Sequence, residues 1–166
     1  MTYSTESVAR KRAAVRTLLI LCAASMTASC SSTPSFSGTY LGNEAASVMP
    51  PGQKVPPNFR LVIEDDGVAL KTVQTFTATS GEAVQLVWQG ECDGKERPVV
   101  GAAPPGIQLS CRRSSSGALV NTVSSADWSY VETCVLDSKV RMTCKGNMLD
   151  DKGEPLPFSY AFDRQE

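Results

Sequence analysis

Hydrophobic and polar residues alternate along most of this 166-residue chain from position 36 onward. Phe59, Leu61 and Ile63 occupy alternate positions, and Arg60 and Glu64 have the opposite parity. Because successive side chains of a β-strand point to opposite faces, this alternation predicts strands with one apolar face. No segment beyond position 35 shows the period of an amphipathic helix. Nine runs are predicted as strands: Phe36–Leu41, Phe59–Glu64, Val68–Thr77, Ala83–Gln89, Ile107–Arg112, Ala118–Ser124, Trp128–Leu136, Val140–Lys145 and Pro157–Asp163.

Turn residues separate these runs. Gly and Asp recur between them, as in Asp65-Asp66-Gly67 and Asp93-Gly94, where a hairpin needs tight or left-handed backbone conformations. Short strands joined by such turns predict an all-β fold, an antiparallel β-barrel or sandwich of eight to nine strands. Two intervals exceed hairpin length, Glu44–Asn58 and Asp93–Gly106, and each is a candidate lid or partner-facing surface.

The first 30 residues have a different pattern. Arg10-Lys11-Arg12 and Arg16 precede an apolar stretch from Thr17 to Met26, and three small or polar residues then lead to Cys30. An apolar run of about ten residues is too short to span a bilayer as a helix. The order of charge, short apolar core, small residues and cysteine predicts a bacterial lipoprotein signal peptide over residues 1–29. An ordinary secretory signal cleaved near Ala28 is the alternative.

The lipoprotein interpretation predicts the location of the protein. Cys30 is then the lipid attachment residue, carrying palmitate or a similar acyl chain and holding the protein on the lipid bilayer. Residues 30–35 form a flexible tether and residues 36–166 the β-barrel domain. Ser31, in place of an acidic residue, resembles outer-membrane sorting. We therefore expect a lipid-anchored protein of the bacterial cell envelope, on the outer membrane and facing the periplasm.

Four cysteines lie in the predicted domain, and an even number in an exported domain predicts two disulfides. A hairpin centred on Lys139 places Cys134 opposite Cys144, which leaves Cys92 to pair with Cys111. The other two pairings remain possible. A zinc site is the competing interpretation, but the spacings of 19, 23 and 10 contain no C-x2-C pair.

Composition narrows the chemistry. Histidine is absent, which excludes Ser-His-Asp and Cys-His catalysis and every zinc site that uses histidine. From position 30 onward the chain has 12 Lys and Arg and 16 Asp and Glu, and the basic residues are scattered. The sequence therefore contains no basic cluster of the kind that binds nucleic acid. The acidic pairs Asp65-Asp66 and Asp150-Asp151 are interpreted as turn residues. We expect no enzyme, no catalytic residue, no cofactor, no metal and no nucleic-acid partner.

Aromatic residues share the parity of the predicted core face. Such a set either fills the interior of a barrel, which is the simpler interpretation, or lines a cavity for one small apolar ligand. The candidate lining residues are Trp88, Trp128, Tyr130, Tyr160 and Phe162, with Phe158 on the same face.

From about Asn58 onward the chain resembles a loosely defined family of small exported bacterial proteins with a lipocalin-like β-barrel. The opening Phe36-Ser37-Gly38-Thr39-Tyr40 is also similar to the Gly-x-aromatic start of lipocalin-like barrels. The resemblance implies the fold and no catalytic set, because most members lack an assigned function. Its segments here are Cys92-Asp93-Gly94-Lys95, Pro98-Val99-Val100-Gly101, Cys144-Lys145-Gly146, Lys152-Gly153-Glu154-Pro155 and Tyr160-Ala161-Phe162-Asp163-Arg164-Gln165.

A second resemblance concerns one loop. Ser114-Ser115-Ser116-Gly117-Ala118 is similar to the Ser-x-Ser-Gly-Ala stretch of small periplasmic lysozyme inhibitors. We therefore expect a membrane-anchored envelope lipoprotein that acts as a binding or structural module, with a small apolar ligand or a protein as partner. The alternative is a protein inhibitor of a secreted hydrolase, of the lysozyme-inhibitor or immunity type.

Overall fold

The computed structural model describes residues 34–138, 140–150 and 152–166. The predicted signal peptide and Cys30 lie outside the described residues. Within them the fold is all-β, with one 3-10 turn at Glu44–Ala46 and no α-helix. The strands are β1 (Gly38–Gly42), β2 (Arg60–Asp65), β3 (Ala69–Thr77), β4 (Ala83–Glu91), β5 (Arg97–Pro98), β6 (Val100–Gly101), β7 (Gln108–Arg113), β8 (Leu119–Ser124), β9 (Ser129–Ser138), β10 (Arg141–Leu149) and β11 (Pro155–Arg164).

The strands form one antiparallel sheet that curves into a nearly closed barrel, in the order β5-β7-β8-β9-β10-β11-β1-β2-β3-β4-β6. Each of the nine predicted runs overlaps one long strand. The predicted number of eight to nine strands was wrong, because the described residues form 11. The additional strands, β5 and β6, are two residues each and lie inside the predicted loop Asp93–Gly106, where alternation is too short to detect.

The barrel closes through that predicted loop. β6 pairs with β4 and β5 pairs with β7, so the chain around Val99 connects the two edges of the sheet. The indole Nε1 of Trp88 on β4 donates a hydrogen bond of 3.0 Å to the carbonyl of Leu109 on β7. Gly101 is needed in this closure, since an added Cβ would meet the Gln85 carbonyl oxygen at 2.3 Å and the backbone φ is +107°. We call this region, β4 to β7 with β5 and β6 between, the closing seam.

Two disulfides cross-link the barrel as the hairpin geometry predicted. Cys134 and Cys144 are direct partners across β9 and β10 and are bonded. Cys92 and Cys111 are bonded across the closing seam, with their Cα atoms 4.4 Å apart. The pairing derived from the hairpin is therefore confirmed for both bonds. A bulge between Arg141 and Met142 shifts the register of β9 and β10. It lies between Cys144 and the hairpin turn, so Cys134 and Cys144 remain direct partners.

One end of the barrel, the closed end, is covered by the segment that precedes β1. Phe36 is 1% exposed and its backbone N–H donates to the Asp65 carboxylate at 2.8 Å. The buried Tyr40 hydroxyl donates to the Phe36 carbonyl at 2.9 Å. Arg113 and Asp65 form an ion pair beneath this cover, and Asp65 has a side chain only 1% exposed. The closed end is thus covered by the buried Phe36 ring together with the polar groups of Tyr40, Asp65 and Arg113.

Candidate functional site

The barrel encloses a cavity of about 260 Å³ between the closed end and the opposite end. An apolar cavity of about 150 Å³ is large enough for benzene, so this one accommodates a somewhat larger molecule. Its walls are mostly aromatic and aliphatic. They consist of Pro56, Phe59, Leu61, Ile63, Leu70, Thr72, Gln74, Phe76, Leu86, Trp88, Leu109, Leu119, Asn121, Tyr130, Glu132, Cys134, Met142, Cys144, Tyr160 and Phe162.

Alternation along the strands places these side chains inside. Leu70, Thr72, Gln74 and Phe76 are consecutive inward positions of β3, as the period of two requires. On the other strands, too, most of the inward side chains are apolar and a few are polar. The cavity therefore combines a large apolar surface with a small number of directed polar groups, which is the usual composition of a small-molecule site.

The opposite end of the barrel, the open end, leads from the cavity to a surface groove. Pro56, Phe59 and Phe76 line both the cavity and this groove. The Phe59 and Phe76 rings meet edge to face with centroids 5.9 Å apart. Much of the predicted long loop Glu44–Asn58 forms the rim of the groove, so this loop borders the mouth of the cavity.

Four of the five predicted lining residues reach the cavity: Trp88, Tyr130, Tyr160 and Phe162. The prediction for Trp128 was wrong. It precedes the first residue of β9, is 46% exposed and does not line the cavity. Its ring stacks on that of Tyr130 at a centroid distance of 6.0 Å, so the aromatic row continues outward past the strand end. The interior is also not fully packed, contrary to the simpler interpretation.

Glu132 and Asn121 are polar lining residues that were not predicted. They are direct partners across β8 and β9, and the Asn121 Nδ2 donates to Glu132 Oε1 at 3.0 Å. A signal for Glu132 was present, since it lies between Tyr130 and Cys134 in the same parity. Burial raises the pKa of the Glu132 carboxyl, and the hydrogen bond from Asn121 partly opposes that rise.

The two cavity tyrosines respond to the same environment. Burial raises the pKa of Tyr130, and the nearby charges of Glu132 and then Tyr160 raise it further. Burial, followed by the Glu132 charge, also raises the pKa of Tyr160. Neither hydroxyl makes a hydrogen bond to another group in the described part of the chain. Both phenols therefore remain neutral donors available to a molecule in the cavity.

A carboxylate oxygen of Glu132 and the sulfurs of Cys134 and Cys144 all lie within 4.8 Å of one another. Carboxylate and thiolate are zinc ligands, but these two sulfurs form a disulfide and offer no thiolate. While the disulfide is intact, these three groups are therefore part of the cavity wall and not a metal site.

The other polar positions singled out by the sequence serve local structure. Asp66 accepts from the backbone N–H groups of Val68 and Ala69, and Asp150 accepts from those of Lys152 and Glu154. These are the predicted turn interactions, while Asp151 lies outside the described residues.

Comparison with protein-family models, curated proteins and solved structures finds no match to this chain. The resemblance to lipocalin-like exported proteins therefore stays a prediction. In the described ranges, no helix is long and apolar enough to cross a lipid bilayer.

Proposed function

We propose that this protein is a lipid-anchored envelope lipoprotein whose lipocalin-like barrel binds one small, mainly apolar molecule in its interior. The observation that carries the proposal is the cavity of about 260 Å³, with aromatic walls and a few inward polar groups. A barrel of this kind offers room for a single small ligand. The sealed closed end and the groove at the open end supply one direction of access.

The anchoring part of the proposal is supported by the amino-acid sequence before position 36. The charged start, short apolar run and Cys30 favour acylation, and a tether would hold the barrel close to the membrane surface.

The alternative, a protein inhibitor, depends on the stretch Ser114–Ala118. This stretch is a tight turn closed by hydrogen bonds between Ser114 and Ala118, and both Gly117 and Ala118 are buried. Ser115 and Ser116 are exposed at the tip of this turn, but two exposed serines do not by themselves form a loop that blocks an active site, so no observation favours this function over ligand binding.

Intrinsic tryptophan fluorescence tests ligand binding directly. Trp88 lines the cavity whereas Trp128 is exposed, so full-length Trp128→Phe protein reports on the cavity through Trp88 alone. Titration with naphthalene, a neutral aromatic probe, should change the Trp88 emission in a saturable way. Native mass spectrometry should detect one bound molecule per chain.

A filled cavity provides the matched control. Thr72→Phe places a ring in the cavity and should abolish the titration, while Thr133→Phe adds the same ring at an exposed position of β9 and should leave it unchanged. Circular dichroism checks that both variants remain folded. Absence of saturable binding by the Trp128→Phe protein would contradict the proposed function.

A further inference from the structure

Glu132 is a carboxyl group in a cavity that contains no balancing positive charge. Among the described residues that line the cavity, Glu132 alone carries a carboxyl, and none is Lys or Arg. Its one side-chain hydrogen-bond donor of usual strength is the neutral amide of Asn121. A buried carboxylate without a counter-charge is costly, and proteins normally pair or neutralise it.

The same barrel pairs its other interior carboxyl fully. Asp65 at the closed end forms an ion pair with Arg113 and accepts hydrogen bonds from the backbone N–H groups of Phe36 and Gly67, each at 2.8 Å. Glu132 has no such set of partners. This contrast indicates that the positive charge that would balance Glu132 comes from a bound molecule.

The neighbours of Glu132 leave that position open. On β8 the facing residue is Asn121, and on β10 it is Gly146, which has no side chain. An added Cβ at Gly146 would meet the Val131 carbonyl oxygen at 2.4 Å and the Phe158 ring at 2.7 Å, so no side chain fits at this position. Hence neither direct partner of Glu132 on the flanking strands is a cation.

Aromatic rings surround the same part of the cavity. Tyr130, Tyr160 and Trp88 line it together with Phe59 and Phe162. An ammonium group is attracted to the faces of such rings, most strongly when it is removed from water. The two free phenolic hydroxyls can accept hydrogen bonds from an ammonium as well as donate to other groups.

We propose that the ligand is a small organic cation, a primary ammonium group on an aromatic or aliphatic body, whose charge lies beside Glu132. This inference rests on the proposed function, because it assigns the chemical class of the molecule bound in that cavity. The apolar body contacts the aliphatic and aromatic walls, and the ammonium donates to the carboxylate of Glu132.

Three probes of one shape and different charge test the inference: 2-phenylethylammonium, neutral 2-phenylethanol and anionic 3-phenylpropanoate. Binding to the full-length Trp128→Phe protein is measured at neutral pH by Trp88 fluorescence and by calorimetry. We expect the ammonium to bind about ten- to a hundredfold more tightly than the alcohol, because hydrogen bonds to charged groups are among the stronger ones. The anion should bind most weakly.

Glu132→Gln keeps the shape of the side chain and removes its charge. In this variant the preference for the ammonium over the alcohol should disappear. The Kd for the alcohol should change by no more than about twofold. Glu154→Gln, at an exposed turn position, is the matched control and should retain the preference.

The pH dependence supplies a second readout. The groups that face Glu132 are Asn121 on β8, Tyr130 and Cys134 on β9, Cys144 on β10, and Tyr160 on β11, and none is a base at neutral pH. Burial raises the pKa of Glu132 in the free protein, and a bound ammonium should lower it again. Calorimetry in two buffers of different ionisation enthalpy measures the proton release that this lowering causes, and the release should be absent with Glu132→Gln.

The outcomes separate the two proposals. Saturable naphthalene binding with no preference for the ammonium, or a preference that persists in Glu132→Gln, overturns the inference and leaves the proposed function standing. If neither naphthalene nor any of the three probes binds, both proposals fail.

Discussion

The carboxyl of Glu132 and the hydroxyl of Tyr40 illustrate two ways in which a polar group inside the barrel affects this protein. Tyr40 has its hydrogen bond inside the chain, to the Phe36 carbonyl, and it stabilises the cover of the closed end. Glu132 has an amide donor but no cation among the described residues that line the cavity, so part of its hydrogen-bonding capacity faces the cavity. A paired polar group contributes to folding, whereas a partly paired one is retained at a cost that binding can offset.

The first prediction at this scale concerns pH. The unfolded chain ionises Glu132 near its ordinary pKa of 4.5, while burial raises the folded-state pKa above that value. The folded state therefore holds a proton that the unfolded state has lost, and stability falls as pH rises from about 4.5 through the folded-state pKa. The Glu132→Gln protein does not lose this stability. Its melting temperature should therefore be a few degrees above that of the unmutated protein at pH 7 and nearly the same at pH 4.

Differential scanning calorimetry without ligand measures this difference in melting temperature. The exposed Glu154→Gln variant should show no gap that grows with pH. A Glu132→Gln protein that is less stable than the unmutated one at pH 7 would mean that the ionised carboxylate stabilises the fold, contrary to its unpaired setting.

The second prediction at this scale compares two tyrosines. Tyr40→Phe removes the donor to the Phe36 carbonyl and should lower the free energy of unfolding by about 1 kcal/mol. Tyr160→Phe removes a hydroxyl that has no partner in the described residues, so it should change that free energy by no more than a few tenths of a kcal/mol. Urea denaturation measures both, and equal losses for the two variants would contradict the hydrogen-bond argument.

At the scale of the strands, the barrel depends on one weak connection. The long strands β1–β4 and β7–β11 are paired by regular antiparallel ladders, but β4 and β7 share no ladder, and their backbones are paired only with the two-residue strands β6 and β5 on this side. The Cys92–Cys111 disulfide and the Trp88 hydrogen bond reinforce this closing seam. Cys134–Cys144, by contrast, joins two strands already paired along seven residues of β10.

The disulfides should therefore differ in effect. Replacing Cys92 and Cys111 by Ala should cost about 3 kcal/mol of stability and should also open the seam. Replacing Cys134 and Cys144 by Ala should cost a similar amount, since both loops are short, and should leave the seam closed. Hydrogen exchange reports the opening through the amides of Val99 and Ala102, which donate to Ile107 and Gln85 across the seam.

Fast exchange of these two amides in both double variants would show that the seam has no special dependence on its own disulfide. Slow exchange in both would show that the β5 and β6 pairings hold the seam without a cross-link. The unmutated protein under reducing and oxidising conditions gives the reference rates.

At the scale of the whole molecule, the proposed acylation at Cys30 determines where the barrel acts. Cys30→Ser removes the only thiol that a lipoprotein signal can use, so the protein should lose metabolic labelling by a palmitate analogue and leave the membrane fraction. Cys22→Ser, within the predicted signal, is the matched control and should retain label and membrane association. Labelling that survives Cys30→Ser would contradict the anchor and leave the ligand-binding proposal intact.

The amino-acid sequence by itself determined the strands and much of their pairing. Alternation is a local property, because each side chain's face follows from its neighbours in the same strand. The turn residues then set the register of each hairpin. Cys134 and Cys144 are equally far from Lys139 in the sequence, so a hairpin centred there predicted their bond.

Only the tertiary structure decided how the sheet closes, whether the interior is filled and which polar groups meet there. Closure depends on β5 and β6, which are too short to show a period and are formed because β4 and β7 approach each other. The cavity depends on the sum of side-chain volumes around the whole barrel, and parity assigns a face without measuring volume. The pairing of Glu132 with Asn121 and Gly146, neither of them a cation, likewise depends on the register of three neighbouring strands.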